Sequence, residues 1–95
     1  VRADRADVIA IVHTCPVCGW GGLDEASHGP DGSGSFEICP SGGVEFGYDD
    51  ATRSHDELRA AWVRGGMKWS STLTRPPLGW DPAVQLTNLP RLPTA

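Results

Sequence analysis

Ninety-five residues make one domain, and a chain of this length buries roughly 60 to 65% of its unfolded surface, which leaves a thin core that usually needs a staple. Twelve glycines and eight prolines mark a loop-rich chain, while 39% apolar residues with four tryptophans exclude full disorder. The net charge of -4, with basic residues scattered from Arg2 to Arg91, offers no obvious phosphate-binding face and argues against nucleic acid as a partner, although Arg53, Arg59, Arg64 and Lys68 could gather near one helix.

In chain order, residues 1–7 alternate charge with small side chains and read as a flexible N-terminal extension, and residues 8–95 read as a single domain. Val8 to Val12 is β-branched and is expected to be a strand that delivers Cys15. It is far too short for a signal sequence or a membrane span. Gly19 to Gly34 holds six glycines and reads as a long irregular connection with a turn at Gly29-Pro30-Asp31-Gly32. Ser35 to Cys39 and Val44 to Tyr48 each alternate apolar and polar residues, which predicts a β-hairpin over Ser35 to Tyr48. Phe36 and Ile38 would share one face, and Val44, Phe46 and Tyr48 another. Ser54-His55-Asp56-Glu57 has the capping-box pattern, so a helix is expected from about Ser54 to Arg64, stopped by Gly65-Gly66. Residues 69–95 are proline-punctuated and extended, with one short helical turn possible from Asp81-Pro82 to Leu86. Trp69, Leu78, Trp80, Val84, Leu86 and Leu89 are expected to wrap this tail over the core.

The chemistry is concentrated in Cys15-Pro16-Val17-Cys18-Gly19 and Cys39-Pro40-Ser41-Gly42-Gly43. These read as two zinc-ribbon knuckles, with Cys18 and Cys39 enclosing twenty residues and Gly42 standing where a fourth thiolate belongs. Zinc at Cys15, Cys18 and Cys39 is the expected cofactor, against a relic site of buried thiols. Candidate fourth donors are His28 in the connection, His13 just before Cys15, and water; His55 falls at the helix start, away from the site. The fold expected is an α+β zinc-ribbon-like domain with a β-hairpin, one α-helix and an extended wrapping C-terminal tail. Cysteines in this spacing suit metal or redox chemistry in a reducing cytosol better than a disulfide framework, so a cytoplasmic location is expected.

The segments C-P-V-C-G-W-G-G-L, S-F-E-I-C-P-S-G-G-V-E-F-G-Y-D-D, W-V-R-G-G-M-K-W and G-W-D-P give the chain, from Cys15 to Trp80, a resemblance to small bacterial cysteine-rich proteins of the CPCC zinc-ribbon type. The resemblance implies metal ligands at Cys15, Cys18 and Cys39, with the fourth falling on Gly42, where this sequence departs from the pattern. Some proteins of that sort lie beside toxin genes, which implies an immunity role by analogy.

Three further patterns have plainer explanations. Cys15-Pro16-Val17-Cys18 after an apolar run looks like a thiol-redox site, but Gly19-Trp20-Gly21-Gly22 is a poor opening for the helix that such a site needs. His55-Asp56-Glu57 has the H-x-E order of zinc deaminases, but it follows the C-x-x-C pair instead of preceding it, and the capping box accounts for Glu57. Glu45, Asp49 and Asp50 form an acidic patch that reads as a solvated turn. No nucleophile with an adjacent base, phosphate-cradling loop or placed carboxylate pair is evident. A non-enzymatic metal-binding module that contacts another protein is therefore favoured. The alternatives are a toxin-neutralising immunity-type protein and a metal-dependent enzyme with an open water position at its three-cysteine site.

Overall fold

The computed structural model describes residues 12–89. The expected extension 1–7 lies outside the described residues, as does all of the expected strand 8–12 except Val12. Among the described residues there are two α-helices, α1 (His55–Arg64) and α2 (Pro82–Leu86), and a 3-10 turn at Asp49–Ala51. There is no β-strand among them. Pairing is limited to isolated bridges joining His13 to Gly22, His28 to Gly34 and Ile38 to Glu45. The expected α+β zinc-ribbon-like fold with a β-hairpin and one helix is thereby corrected.

The hairpin fails at both ends for backbone reasons. Phe36 takes a left-handed conformation at φ 64°, which breaks the two-residue alternation on which a strand depends. On the other leg Gly47 has φ 100°, and the N–H groups of Tyr48 and Asp49 both turn back to the Glu45 carbonyl, at 3.2 and 2.9 Å. What survives is a short contact in which Phe36 N–H meets the Phe46 carbonyl at 2.8 Å and Cys39 N–H meets that of Val44 at 2.9 Å. Val44 and Phe46 are buried, whereas Phe36, Ile38 and Tyr48 are exposed.

Helix α1 forms where the capping signal places it. Ser54 Oγ accepts the Glu57 N–H at 3.1 Å, and Glu57 Oε1 accepts the Ser54 N–H at 2.8 Å. Gly65 closes the helix by donating to the Ala61 carbonyl at 2.9 Å. The inward face carries Leu58 and, unexpectedly for a charged residue, Arg59. Helix α2 starts at Asp81, whose Oδ1 accepts the N–H groups of Ala83 and Val84 at 2.9 and 3.3 Å ahead of Pro82 in the first turn.

The core is small. Its buried apolar members include Val17, Leu23, Val44, Phe46 and Leu58, packed around the three cysteines, with Trp20 and Trp62 leaning on them. The segment after α1 has a divided fate. Trp69, Trp80, Leu86 and Leu89 are half-buried, whereas Leu78 and Val84, expected to cover the core, are exposed. No helix among the described residues is long and apolar enough to cross a membrane.

Candidate metal centre

Cys15, Cys18 and Cys39 come together with their sulfurs within 4.8 Å of one another, and all three side chains are 0% exposed. None is in a disulfide. The loops that carry them have matching backbones. Cys15 N–H donates to the Trp20 carbonyl at 2.7 Å and Gly19 N–H to that of Cys15 at 3.0 Å; Cys39 N–H donates to Val44 at 2.9 Å and Gly43 N–H to Cys39 at 2.8 Å. Gly19 and Gly43 both adopt left-handed conformations, at φ 88° and 79°, which lets each loop reverse four residues after Cys15 and Cys39. Each loop also points an N–H at a sulfur: Val17 N–H at Cys15 Sγ, 3.4 Å, and Gly42 N–H at Cys39 Sγ, 3.5 Å.

The spacing fits a tetrahedral thiolate site. Sulfurs bonded to zinc at about 2.3 Å lie about 3.8 Å apart along a tetrahedral edge, and Cys18 Sγ lies 3.6 Å from Cys39 Sγ. Gly42 borders the same space, since a Cβ there would stand 3.2 Å from Cys18 Sγ. Without a cation the three thiols settle their charge among themselves. Hydrogen bonds from Cys15, then from Cys39, hold Cys18 down to about 3, with help from the neighbouring Ser41 hydroxyl. Cys15 is pushed up to about 11, first by its hydrogen bond to Cys18. Cys39 is also raised, chiefly by its hydrogen bonds to Cys15 and Cys18 and then by burial. Cys18 is thus the sulfur readiest to ionise, and ligation of a cation by all three would release whatever thiol protons they still hold.

Two residues that sequence reading did not single out hold the loops in place. Arg59 of α1 donates from Nε to the Val17 carbonyl at 3.0 Å and from Nη2 to that of Pro16 at 2.8 Å, clamping the first loop. Gln85 of α2 is buried and joins both loops, its Nε2 donating to the Cys18 carbonyl at 3.0 Å and to Ser41 Oγ at 2.9 Å. Its Oε1 accepts the Trp80 indole N–H at 2.6 Å. Asn88 adds a bond to the Gly19 carbonyl at 2.9 Å, and Ser70 and Ser71 donate to the Pro40 carbonyl at 3.1 and 2.9 Å.

The histidines are placed differently. His13 is half-buried, pairs through its backbone with Gly22 and belongs to neither ligand group. His28, a candidate fourth donor, is instead grouped with Asp50 and His55. Its Nε2 is 3.0 Å from Asp50 Oδ2, and His55 Nε2 is 2.8 Å from the same oxygen. Burial pushes the Asp50 carboxyl up, but the His55 hydrogen bond, the Gly47 N–H and the two imidazoles outweigh it and hold the group below the usual carboxylate range. The acidic turn is internally bonded, with Asp49 Oδ2 accepting the Glu45 N–H at 2.8 Å and Asp50 Oδ1 the Gly47 N–H at 2.7 Å. The redox reading finds no helix after Cys18, where Gly19 turns left-handed, and the H-x-E glutamate is occupied by the capping box.

Searches against protein-family models, curated proteins and solved structures give no match to this chain.

Proposed function

We propose that this protein is a small metal-binding interaction module in which Cys15, Cys18 and Cys39 hold a structural zinc ion. The observation that carries this reading is three free sulfurs, fully buried and mutually in reach, at the centre of a small core. Thiolate donors favour zinc among the divalent ions that need no redox partner. When bound, the ion supplies cross-links between the loops at residues 15–18 and 39–42, while Arg59 and Gln85 orient those loops and the N–H groups of Val17 and Gly42 stabilise sulfur charge. Complete burial of the sulfurs favours a structural role over an enzyme with a water-filled coordination position.

The interaction half of the reading rests on exposed apolar side chains that a thin core leaves over. Phe36 and Ile38 are 62% and 59% exposed, two residues apart, and Leu73 and Leu78 are exposed almost completely. Such groups suit a protein surface better than an acidic chain suits nucleic acid. No feature of the site favours the toxin-neutralising alternative.

Native mass spectrometry with elemental analysis tests the metal. About one zinc per chain is expected, and Cys39→Ser should lose it together with several kcal/mol of stability, of the order that a structural ion contributes. Equal metal content and an unchanged melting curve in Cys39→Ser would overturn the reading.

A further inference from the structure

Three separate segments meet at Asp50: the glycine-rich connection brings His28, the 3-10 turn brings Asp50 itself, and the first residue of α1 brings His55. The Asp50 side chain is only 5% exposed, so its charge needs compensation where it stands. One carboxylate oxygen is already committed, since Oδ1 accepts the Gly47 N–H at 2.7 Å. That bond leaves Oδ2 as the atom on which both histidines converge through Nε2. From these placements we infer that His28, Asp50 and His55 form a second divalent-cation site, of the two-histidine, one-carboxylate type, separate from the cysteine cluster.

Distances and outer partners support the assignment. Ligands bonded at about 2.1 Å and set at right angles lie about 3.0 Å apart, and at tetrahedral angles about 3.4 Å. The two Asp50 to histidine separations, 3.0 and 2.8 Å, fall close to the right-angle edge. That places three protein donors on one side of an ion and leaves the rest of its shell to water. His28 Nδ1 lies 3.0 Å from Ser27 Oγ, the outer partner that a ligating imidazole normally has to fix its tautomer. The His28 ring also packs edge-on against the fully buried Phe46, with centroids 6.0 Å apart, so its direction is set by the core. Both imidazoles remain about one-third exposed, which gives an ion a route in from solvent. Imidazole and carboxylate donors without sulfur suit zinc, cobalt, nickel or ferrous iron. Asp50 Oδ2 has lone pairs for both imidazoles as hydrogen-bond donors, and the same three atoms are close enough together to share one ion.

The inference does not depend on metal at the cysteines, and cobalt(II) separates the two sites. Thiolate-bound cobalt gives a sulfur-to-metal charge-transfer band, and cobalt at His28, Asp50 and His55 does not. Titrating the purified full chain with cobalt(II) should reveal an equivalent bound without that band. His55→Ala should weaken this binding by at least about 100-fold, and Ser27→Ala, which leaves all three ligands in place, by about 10-fold. In the unmutated chain the bound cobalt should broaden the NMR signals of the His28 and His55 rings and the Gly47 amide, a readout that needs no variant to fold. Absence of a sulfur-free cobalt species, or broadening that spares these three groups, would overturn the proposal.

Discussion

Gly42 borders the cysteine cluster at Cys18, and the obstacle to a side chain there is steric and slight. Its φ lies outside the left-handed region, so the backbone accepts a side chain. A Cβ would meet Cys18 Sγ at 3.2 Å and Cys18 Cβ at 3.3 Å, contacts that Cys18 relieves by moving a few tenths of an ångström. Gly42→Cys is therefore expected to fold, to lose about 1 kcal/mol in its metal-free form through overpacking, and to bind zinc more tightly than the unmutated chain in chelator competition. Unchanged affinity would place the open coordination position away from residue 42. Gly19 is a different case. It combines a φ of 88° with a Cβ position that collides with the Gln85 carbonyl, so no side chain is tolerated there without moving α2. The cysteine grouping was legible because C-x-x-C spacing is a local property of the chain. Arg59 and Gln85 were not, because nothing in a helix pattern says that a guanidinium or an amide will reach loop carbonyls some forty to seventy residues away in sequence.

At the scale of elements, local signals decided correctly where the deciding bonds are local. Ser54 and Glu57 close a reciprocal box within four residues, and α1 begins where that pattern predicts. Ser54→Ala should cost on the order of 1 kcal/mol in a denaturant titration, and no loss would mean that the cap contributes nothing here. Glu57 adds a pH dependence of known sign. The Ser54 backbone N–H, then the Ser54 side chain, hold its carboxyl below the usual glutamate range. The stabilisation is thus present above that range and is lost as pH falls through the lowered folded value. The melting-temperature gap between the unmutated chain and Glu57→Ala should be open at neutral pH and close in acid; a gap that persists in strong acid would show that the carboxylate is not its source. The hairpin over Ser35 to Tyr48 was misread because alternation reports only a preference. The left-handed turn at Phe36 and the curl after Phe46 are imposed by tertiary contacts, among them the close approach of Gly34 to Phe46 and Gly47.

Across the whole molecule, the cysteine cluster and the tryptophans are one mechanical unit. Trp20 stacks edge-to-face on Trp69 with centroids 5.1 Å apart, and Trp69 does the same with Trp80 at 5.2 Å. Trp80 bonds Gln85, and Gln85 joins the two cysteine loops. Among the described residues there is no sheet to hold this arrangement, and the helices are ten and five residues long, too short to be stable alone. If a bound ion ties the loops at residues 15–18 and 39–42, its removal should release Gln85 and unstack the indoles together. Chelation is therefore expected to shift tryptophan emission to the red, to abolish the near-ultraviolet dichroism of the stacked rings and to lower the melting temperature, with added zinc restoring all three. The opposing physical possibility is the metal-free thiol cluster, in which hydrogen bonds from Cys15 and Cys39 favour ionisation of Cys18. A chelated chain that keeps its emission, its dichroism and its melting temperature would show that these hydrogen bonds and the surrounding packing hold the loops without an ion.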